Sequence, residues 1–347
     1  MKLQEAFGIV RGDTVAFIGA GGKTSLLVGL GYELLDSGWR VLATSTMDFA
    51  AEQLQFMKHA MPYHVGTARI SAALSEYGFV FVYAYISDGR VFPPPQHWLQ
   101  SVLDHVDSDV LLVEADTAQG LPLKVPYPDE PNIPVDTSLV VPVVSLAALD
   151  QPLDNEHVYN PQPMMEKFGF QPGSLIRSPW VAQVVRDDTM GLQGIPEKAR
   201  VIPYVNQTPE EGYWRSRGRL IARLALRSPR IQAVAIGTIR AAEPVLEVQR
   251  AVGAIVLAGG KSSRMGEPKL LLPWENGKSI IEHIIEQLLR ARVPLINVVT
   301  GHYASEVKTR IKPLGVQIVH NRSYRTGEMI SSLKAGLRAM PDHMSAA

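Results

Sequence analysis

The chain contains no cysteine, which excludes disulfides, thiolate metal sites and cysteine nucleophiles. With no signal-peptide pattern, the expected location is cytoplasmic. Net charge is missing as well, since 34 Lys and Arg balance 34 Asp and Glu. That leaves no broad basic field for nucleic acid or an anionic membrane, so any cationic work has to be local. No apolar run approaches the roughly 20 residues that a helix needs to cross a bilayer, and the expectation is a soluble protein. The nine histidines show no metal-ligand spacing such as His-Glu-x-x-His. Internal repeats, low-complexity segments and flexible Gly/Ser linkers are likewise lacking.

What is present is a chain of 347 residues, enough for about two domains. Apolar β-prone runs alternate with helical patterns, the mark of α/β architecture with parallel sheets. Strands are expected at Val15–Ile18, Arg40–Thr46, Phe79–Ile86, Val110–Val113, Leu139–Val144 and Ala233–Ile236, with a helix over Thr24–Leu35. The prolines between Pro122 and Pro134 predict an irregular loop, and the Asn160–Pro179 patch opens a helical subregion. A new series starts after Arg250. It has strands at Ala254–Leu257, Leu295–Thr300 and Val316–Val319, and helices at Ser279–Ala291, Ala304–Ile311 and Ile330–Ala339. The expected division is a P-loop-like parallel-sheet domain over residues 1–250 and a partial Rossmann-like domain over 251–347.

The most informative stretch runs from Ile255 to Trp274. An apolar strand ends at Ala258 in Gly259-Gly260, where missing side chains let backbone N–H groups approach a phosphate. Arg264 and Lys269 then set two cations around the same loop, suited to a triphosphate. Gly-Gly, Arg-Met-Gly and Pro-Lys in one short window resemble the nucleotidyltransferases that activate sugars, isoprenoid precursors and molybdopterin. The Lys269-Leu-Leu-Leu-Pro273 tail is most similar to the molybdenum cofactor cytidylyltransferase branch.

A second candidate site lies near the start. Phe17-Ile-Gly19-Ala-Gly21-Gly22-Lys23-Thr24 follows a strand and opens a helix, so amides and a helix N-terminus face one point. Lys23 would reach the β/γ-phosphates and the Thr24 hydroxyl would ligate Mg²⁺. The first glycine of the usual Walker A spacing is replaced by Phe17. The apolar strand Val110–Val113 delivers Glu114 and Asp116 where a P-loop fold places its Mg²⁺-facing acid; Asp116 is the candidate and Glu114 the alternative. Asp48 also follows a strand, where it would either face the same crevice or, as strand-end aspartates usually do, form a turn. Lys124 and Glu130 sit in the proline-stiffened loop, either presenting charge to a ligand or solvated on a rigid surface.

Gly19-Ala-Gly-Gly-Lys-Thr24, Glu114-Ala-Asp116 and Gly120-Leu-Pro-Leu-Lys-Val-Pro126…Glu130-Pro131 resemble the YqeC-like accessory proteins of selenium-dependent molybdenum hydroxylases, over about residues 1–250. Departures fall at Thr117, where a glycine is usual, and at Met47-Asp48, where a histidine-containing stretch is more familiar. The resemblance implies ATP or GTP handling during cofactor maturation, with a molybdenum hydroxylase apoprotein as partner.

Two later segments fit the transferase resemblance. Val298-Val-Thr-Gly301 is a strand end where a base would be read by backbone groups. Asn321…Tyr324…Gly327-Glu328-Met329…Ser331-Ser332-Leu333…Gly336 resembles the Asn-x-x-Tyr/Trp-x-x-Gly-Met-x-x-Ser-Leu-x-x-Gly run of the cytidylyltransferases, with Glu328 as an extra residue. Ser331 and Ser332 lie near a helix start, suited to phosphate or to capping. His302 is the one histidine near this site, and a structural role is expected for it.

A further strand carrying a metal-binding aspartate is expected in that fold. The sequence reaches Ala347 with no such strand evident; Asp342 and His343 read as turn residues.

The expected activity is transfer from CTP, or GTP, to molybdopterin with Mg²⁺ and release of pyrophosphate, in which Lys269 and Arg264 would be catalytic. The triphosphate would lie on Ala258, Gly259, Gly260, Gly301, Ser331 and Ser332, and ATP or GTP on the amino-terminal loop. Alternatives are a non-catalytic assembly factor for the hydroxylase and a sugar- or isoprenoid-type transferase.

Overall fold

A computed structural model describes residues 1–260, 268–291, 293–327, 329–341 and 344–346. Arg264, Glu328, Asp342 and His343 lie outside the described residues. The chain divides into two compact units, Met1–Gln249 and Arg250–Ala347.

The first unit is built on a ten-stranded sheet. Its order is Val245–Arg250, Ala233–Gly237, Tyr204–Asn206, Leu139–Ser145, Thr14–Gly19, Val110–Glu114, Val41–Ser45, Phe79–Tyr83 and Ala60–Pro62, with Arg200–Val201 also on Leu139–Ser145. The central strands pair in parallel. They are buried on both faces, which is why they appear in the sequence as unbroken apolar runs. Side-chain alternation splits them between two cores. Val15 and Phe17 pack with Leu26, Leu27, Leu30 and Leu34 of the helix Lys23–Asp36. Ala16 and Ile18 face the other side, with the helices Thr67–Tyr77 and Gln96–His105.

Three expectations change. Phe79–Ile86 is not one strand: Phe79–Tyr83 stays in the main sheet, whereas Tyr85–Ser87 turns back antiparallel on Arg90–Phe92, which also pairs with Phe49–Ala50. The Pro122–Pro134 loop is irregular except at Leu123–Lys124, which pairs with Val158–Tyr159. The amphipathic helix Tyr213–Ala225 and the short strands Tyr204–Asn206 and Val245–Arg250 were not foreseen.

In the second unit, strands Gln317–His320, Ile296–Thr300, Val252–Ala258 and Ser345–Ala346 lie in that order, all parallel. The helix Ile280–Arg290 begins in a capping box between Ser279 and Glu282 and buries Ile281 and Ile285. Beyond the last helix Ser345–Ala346 pairs with Val252–Gly253, a strand that carries no aspartate. Two residues carry too little apolar pattern to read as a strand. Among the described residues no helix is long and apolar enough to cross a membrane.

Candidate functional site

The strand Thr14–Gly19 lies between Val110–Glu114 and Leu139–Ser145. The next strands of the chain build outward on the Val110–Glu114 side and the later ones on the other. Its carboxyl end is therefore a topological switch point, where parallel sheets leave a crevice. Gly19, Gly21 and Gly22 there have φ of 83°, 86° and 127°. A Cβ would strike the Val143 carbonyl at Gly19, Ser145 at Gly21 and the Asn206 side chain at Gly22. Only glycine allows both this backbone and this contact with the neighbouring strand ends. The Gly19 amide donates to Asp116 Oδ2 (2.9 Å) and that of Ala20 to the Val143 carbonyl (2.8 Å). Among the described residues, the amides of Gly21, Gly22, Lys23 and Thr24 have no acceptor paired with them. They are donors of the kind that an anion at a helix start takes up.

The two acids take different surroundings. Thr24 Oγ1 donates to Glu114 Oε2 (2.8 Å) and also lies 3.1 Å from Gln53 Oε1. Lys23 is buried; its Nζ donates to the Gly19 carbonyl (2.9 Å) and stands 3.9 Å from Glu114 Oε1. Burial lowers the Lys23 pKa against the pull of Glu114 and Asp116, and burial raises that of Glu114 against Lys23 and Thr24. Asp116 does not meet Thr24 through any described hydrogen bond. It accepts from Gly19 and from Lys124 Nζ, and burial raises its pKa against the two lysines.

One other expectation fails. Lys124 presents no charge to solvent: its side chain is 0% exposed, held by Asp116, by Glu130 Oε2 (2.7 Å) and by the Thr117 carbonyl (2.6 Å), with the Tyr159 ring 4.4 Å away. An unpaired ammonium could not be buried this way, so the loop closes over the cation with its partners. Asp48 pairs with Arg90 on the antiparallel hairpin.

The Thr24 hydroxyl and the Glu114 carboxylate, 2.8 Å apart, are oxygen ligands of the kind that a hard divalent cation takes. No group of three or more His, Cys, Asp or Glu among the described residues offers another metal site.

Gln53 and Asn206 had no signal in the sequence. Gln53 belongs to a 3-10 turn, Ala51–Phe56, with no motif. Asn206 ends a three-residue strand, where its Nδ2 donates to the Gly21 carbonyl (2.7 Å) and its Oδ1 accepts from Gln207 and Ile239. It ties the glycine loop to two neighbouring loops.

In the second unit, Ala258 ends its strand and Gly259, Gly260 and Gly301 follow parallel strand ends. The backbones of Gly259 and Gly301 are in close approach: a Cβ at Gly301 would lie 2.6 Å from the Gly259 carbonyl oxygen and 2.9 Å from Tyr324 Cβ. A Cβ at Gly259 would lie 3.2 Å from Ser332 Oγ, so Ser332 stands over the same turn. Asn321, whose amide donates to the Thr300 carbonyl (3.0 Å), donates from Nδ2 to Ser331 Oγ (2.8 Å) and Ser332 Oγ (2.9 Å). Gly259, Gly301, Ser331 and Ser332 are thus brought together. Gly260 is open, with space where a Cβ would be. Lys269 is exposed on the turn Lys269–Leu271, whose two leucines pack on the core. The amide of His302 points at the Gly259 carbonyl at 3.5 Å, and its ring lies against Tyr303 and Tyr324.

Comparisons with known proteins divide at the same place. Residues 15–162 match the family model of the YqeC protein and residues 254–347 that of the MobA-like NTP transferase domain. Over 199 residues the chain is 27% identical to the protein YqeC of Escherichia coli (strain K12), covering 57% of this chain and 77% of that one. Over 91 residues it is 36% identical to the molybdenum cofactor cytidylyltransferase of the same organism, covering 26% of this chain and 46% of the relative. Over 58 residues it is 47% identical to a probable molybdenum cofactor guanylyltransferase of Bacillus cereus (strain G9842), covering 17% and 26%. The chain thus spans under half the length of either transferase. Its first unit is thus similar to the YqeC family and its second to the MobA-like NTP transferase domain.

Proposed function

We propose that the chain acts in molybdenum cofactor maturation. Its second unit binds CTP, or GTP, and transfers the nucleotidyl group to molybdopterin. The acceptor's terminal phosphate oxygen bonds to the α-phosphorus, the bond to the α,β-bridging oxygen breaks, and pyrophosphate leaves. The observation that carries this reading is the meeting of Gly259, Gly301, Asn321 and Ser332 at parallel strand ends. It supports a phosphate cradle of backbone amides and hydroxyls. In this reading Gly260 completes the cradle, Lys269 sits by the α-phosphate where charge develops, and Arg264 takes the β/γ end.

The first unit binds ATP or GTP on Gly19, Gly21, Gly22 and Lys23. Mg²⁺, which neutralises phosphate charge, would be held by Thr24 and Glu114. Glu114 is preferred to Asp116 because the hydroxyl of Thr24 reaches it and Asp116 is engaged by Lys124. A second reading is an assembly factor that serves a molybdenum hydroxylase apoprotein without nucleotidyl transfer, with nucleotide bound by the first unit alone.

Equilibrium binding of CTP, GTP and ATP with Mg²⁺ to the wild type, Lys23→Ala and Lys269→Ala tests both sites. Expected is CTP or GTP binding weakened more than about tenfold by Lys269→Ala alone, with a separate purine site lost in Lys23→Ala. Parallel loss in both variants argues against two sites. Binding indifferent to Lys269 removes it from the transferase site.

A further inference from the structure

Gln53 comes to the phosphate loop from a segment that nothing in the chain's motifs marks. Its turn is fixed at both ends. Upstream, Phe49 packs edge-on against Phe81 with ring centres 5.7 Å apart, and the Ala51 amide donates to the Gly89 carbonyl (2.8 Å). Downstream, Tyr32 OH accepts from the Lys58 amide (3.0 Å) and donates to the Phe56 carbonyl (3.5 Å). Tyr32 belongs to the helix whose first residues are Lys23 and Thr24. The turn is therefore referenced to that helix start, and Gln53 Oε1 reaches within 3.1 Å of Thr24 Oγ1. Among the described residues, the two amide hydrogens of Gln53 have no acceptor. Here a neutral side chain with a carbonyl and a spare N–H₂ stands beside the hydroxyl that would help hold a divalent cation, which would neutralise phosphate charge.

We propose that the first unit hydrolyses a nucleoside triphosphate and that Gln53 orients the attacking water. This rests on reading Gly19–Thr24 as a nucleotide site. The water oxygen bonds to the γ-phosphorus and the bond to the β,γ-bridging oxygen breaks. That bond's electron pair leaves on the diphosphate, and the water's proton passes to the released phosphate. An amide has no pKa suited to taking that proton, so Gln53 acts by geometry: its carbonyl accepts a hydrogen from the water and its N–H₂ donates to a γ-oxygen. Lys23 and the loop amides carry the charge.

The test uses the full chain with Mg²⁺ and ATP or GTP, reading nucleotide affinity and inorganic phosphate release separately, with pyrophosphate assayed apart. For Gln53→Ala and the near-isosteric Gln53→Glu, affinity should stay within about threefold of wild type and phosphate release fall at least tenfold. Lys23→Ala should lose both. Wild-type binding without phosphate release overturns the hydrolysis and leaves the nucleotide site standing; no wild-type binding overturns both. Release by Gln53→Ala at the wild-type rate, or affinity falling as far as release, removes Gln53 from the reaction.

Discussion

Lys124 and Glu130 form an ion pair of 2.7 Å in which neither side chain is more than 9% exposed. The pair bridges two places: Asp116 at the mouth of the glycine loop, and the proline-rich loop that Glu130 anchors by accepting from the Tyr127 amide (3.1 Å). Through Asp116, which accepts from the Gly19 amide, the buried ammonium sets where the phosphate loop begins.

Replacing Lys124 by Met would leave two buried carboxylates without their shared cation, a change that costs about 3–5 kcal/mol when a buried pair loses one member. Urea unfolding of Lys124→Met should show a loss of that order. Adding Glu130→Gln should recover part of it, because one of the two stranded charges is then gone. A loss under about 1 kcal/mol would mean that the network is spectator to the fold.

The same network predicts an alkaline signature at Tyr159. Burial, and then the neighbouring Glu130 carboxylate, push its phenol from 10.0 up to about 12. The folded state therefore keeps a proton that the unfolded state releases. Its stabilising contribution is complete below pH 10 and is lost as pH rises from 10 to about 12. The tyrosinate absorbance of wild type minus Tyr159→Phe should titrate near pH 12. A midpoint near 10 would place that ring in solvent, at odds with its hydrogen bond to Glu130 Oε1 (3.3 Å).

Much of this was legible in the residues, and the reasons are local. Val110–Val113 and Leu139–Val144 could be recognised because a strand buried on both faces has to be apolar throughout. Gly21-Gly22-Lys23-Thr24 could be read because a left-handed backbone next to a helix start demands glycine in a fixed spacing. What escaped depends on pairing across the chain. Glu114 and Asp116 are two residues apart, and only the third dimension gives Thr24 to one and Lys124 to the other. Gln53 and Asn206 matter through single side-chain bonds made 29 and 185 residues away. Lys124 misled because a lysine in a proline-rich loop is usually solvated. Here the loop folds down so that two carboxylates and an aromatic ring enclose it.

In the second unit the two glycines Gly260 and Gly301 allow a controlled comparison. An alanine methyl at Gly301 would press on the Gly259 carbonyl oxygen at 2.6 Å and on Tyr324 Cβ at 2.9 Å, so backbone has to move at the proposed cradle. At Gly260 the methyl would meet nothing within 4 Å, and the amide is kept. Gly301→Ala should therefore weaken CTP or GTP binding at this site by about tenfold or more, some 1.4 kcal/mol, while the purine site of the first unit is unchanged. Gly260→Ala should bind within about threefold of wild type. Circular dichroism of both variants checks that the helices and strands persist. If Gly301→Ala binds as the wild type does, the Gly259–Gly301 approach serves packing alone and the cradle has to lie elsewhere. If Gly260→Ala fails equally, the triphosphate passes over the open face of Gly260, where the added methyl would stand in its path.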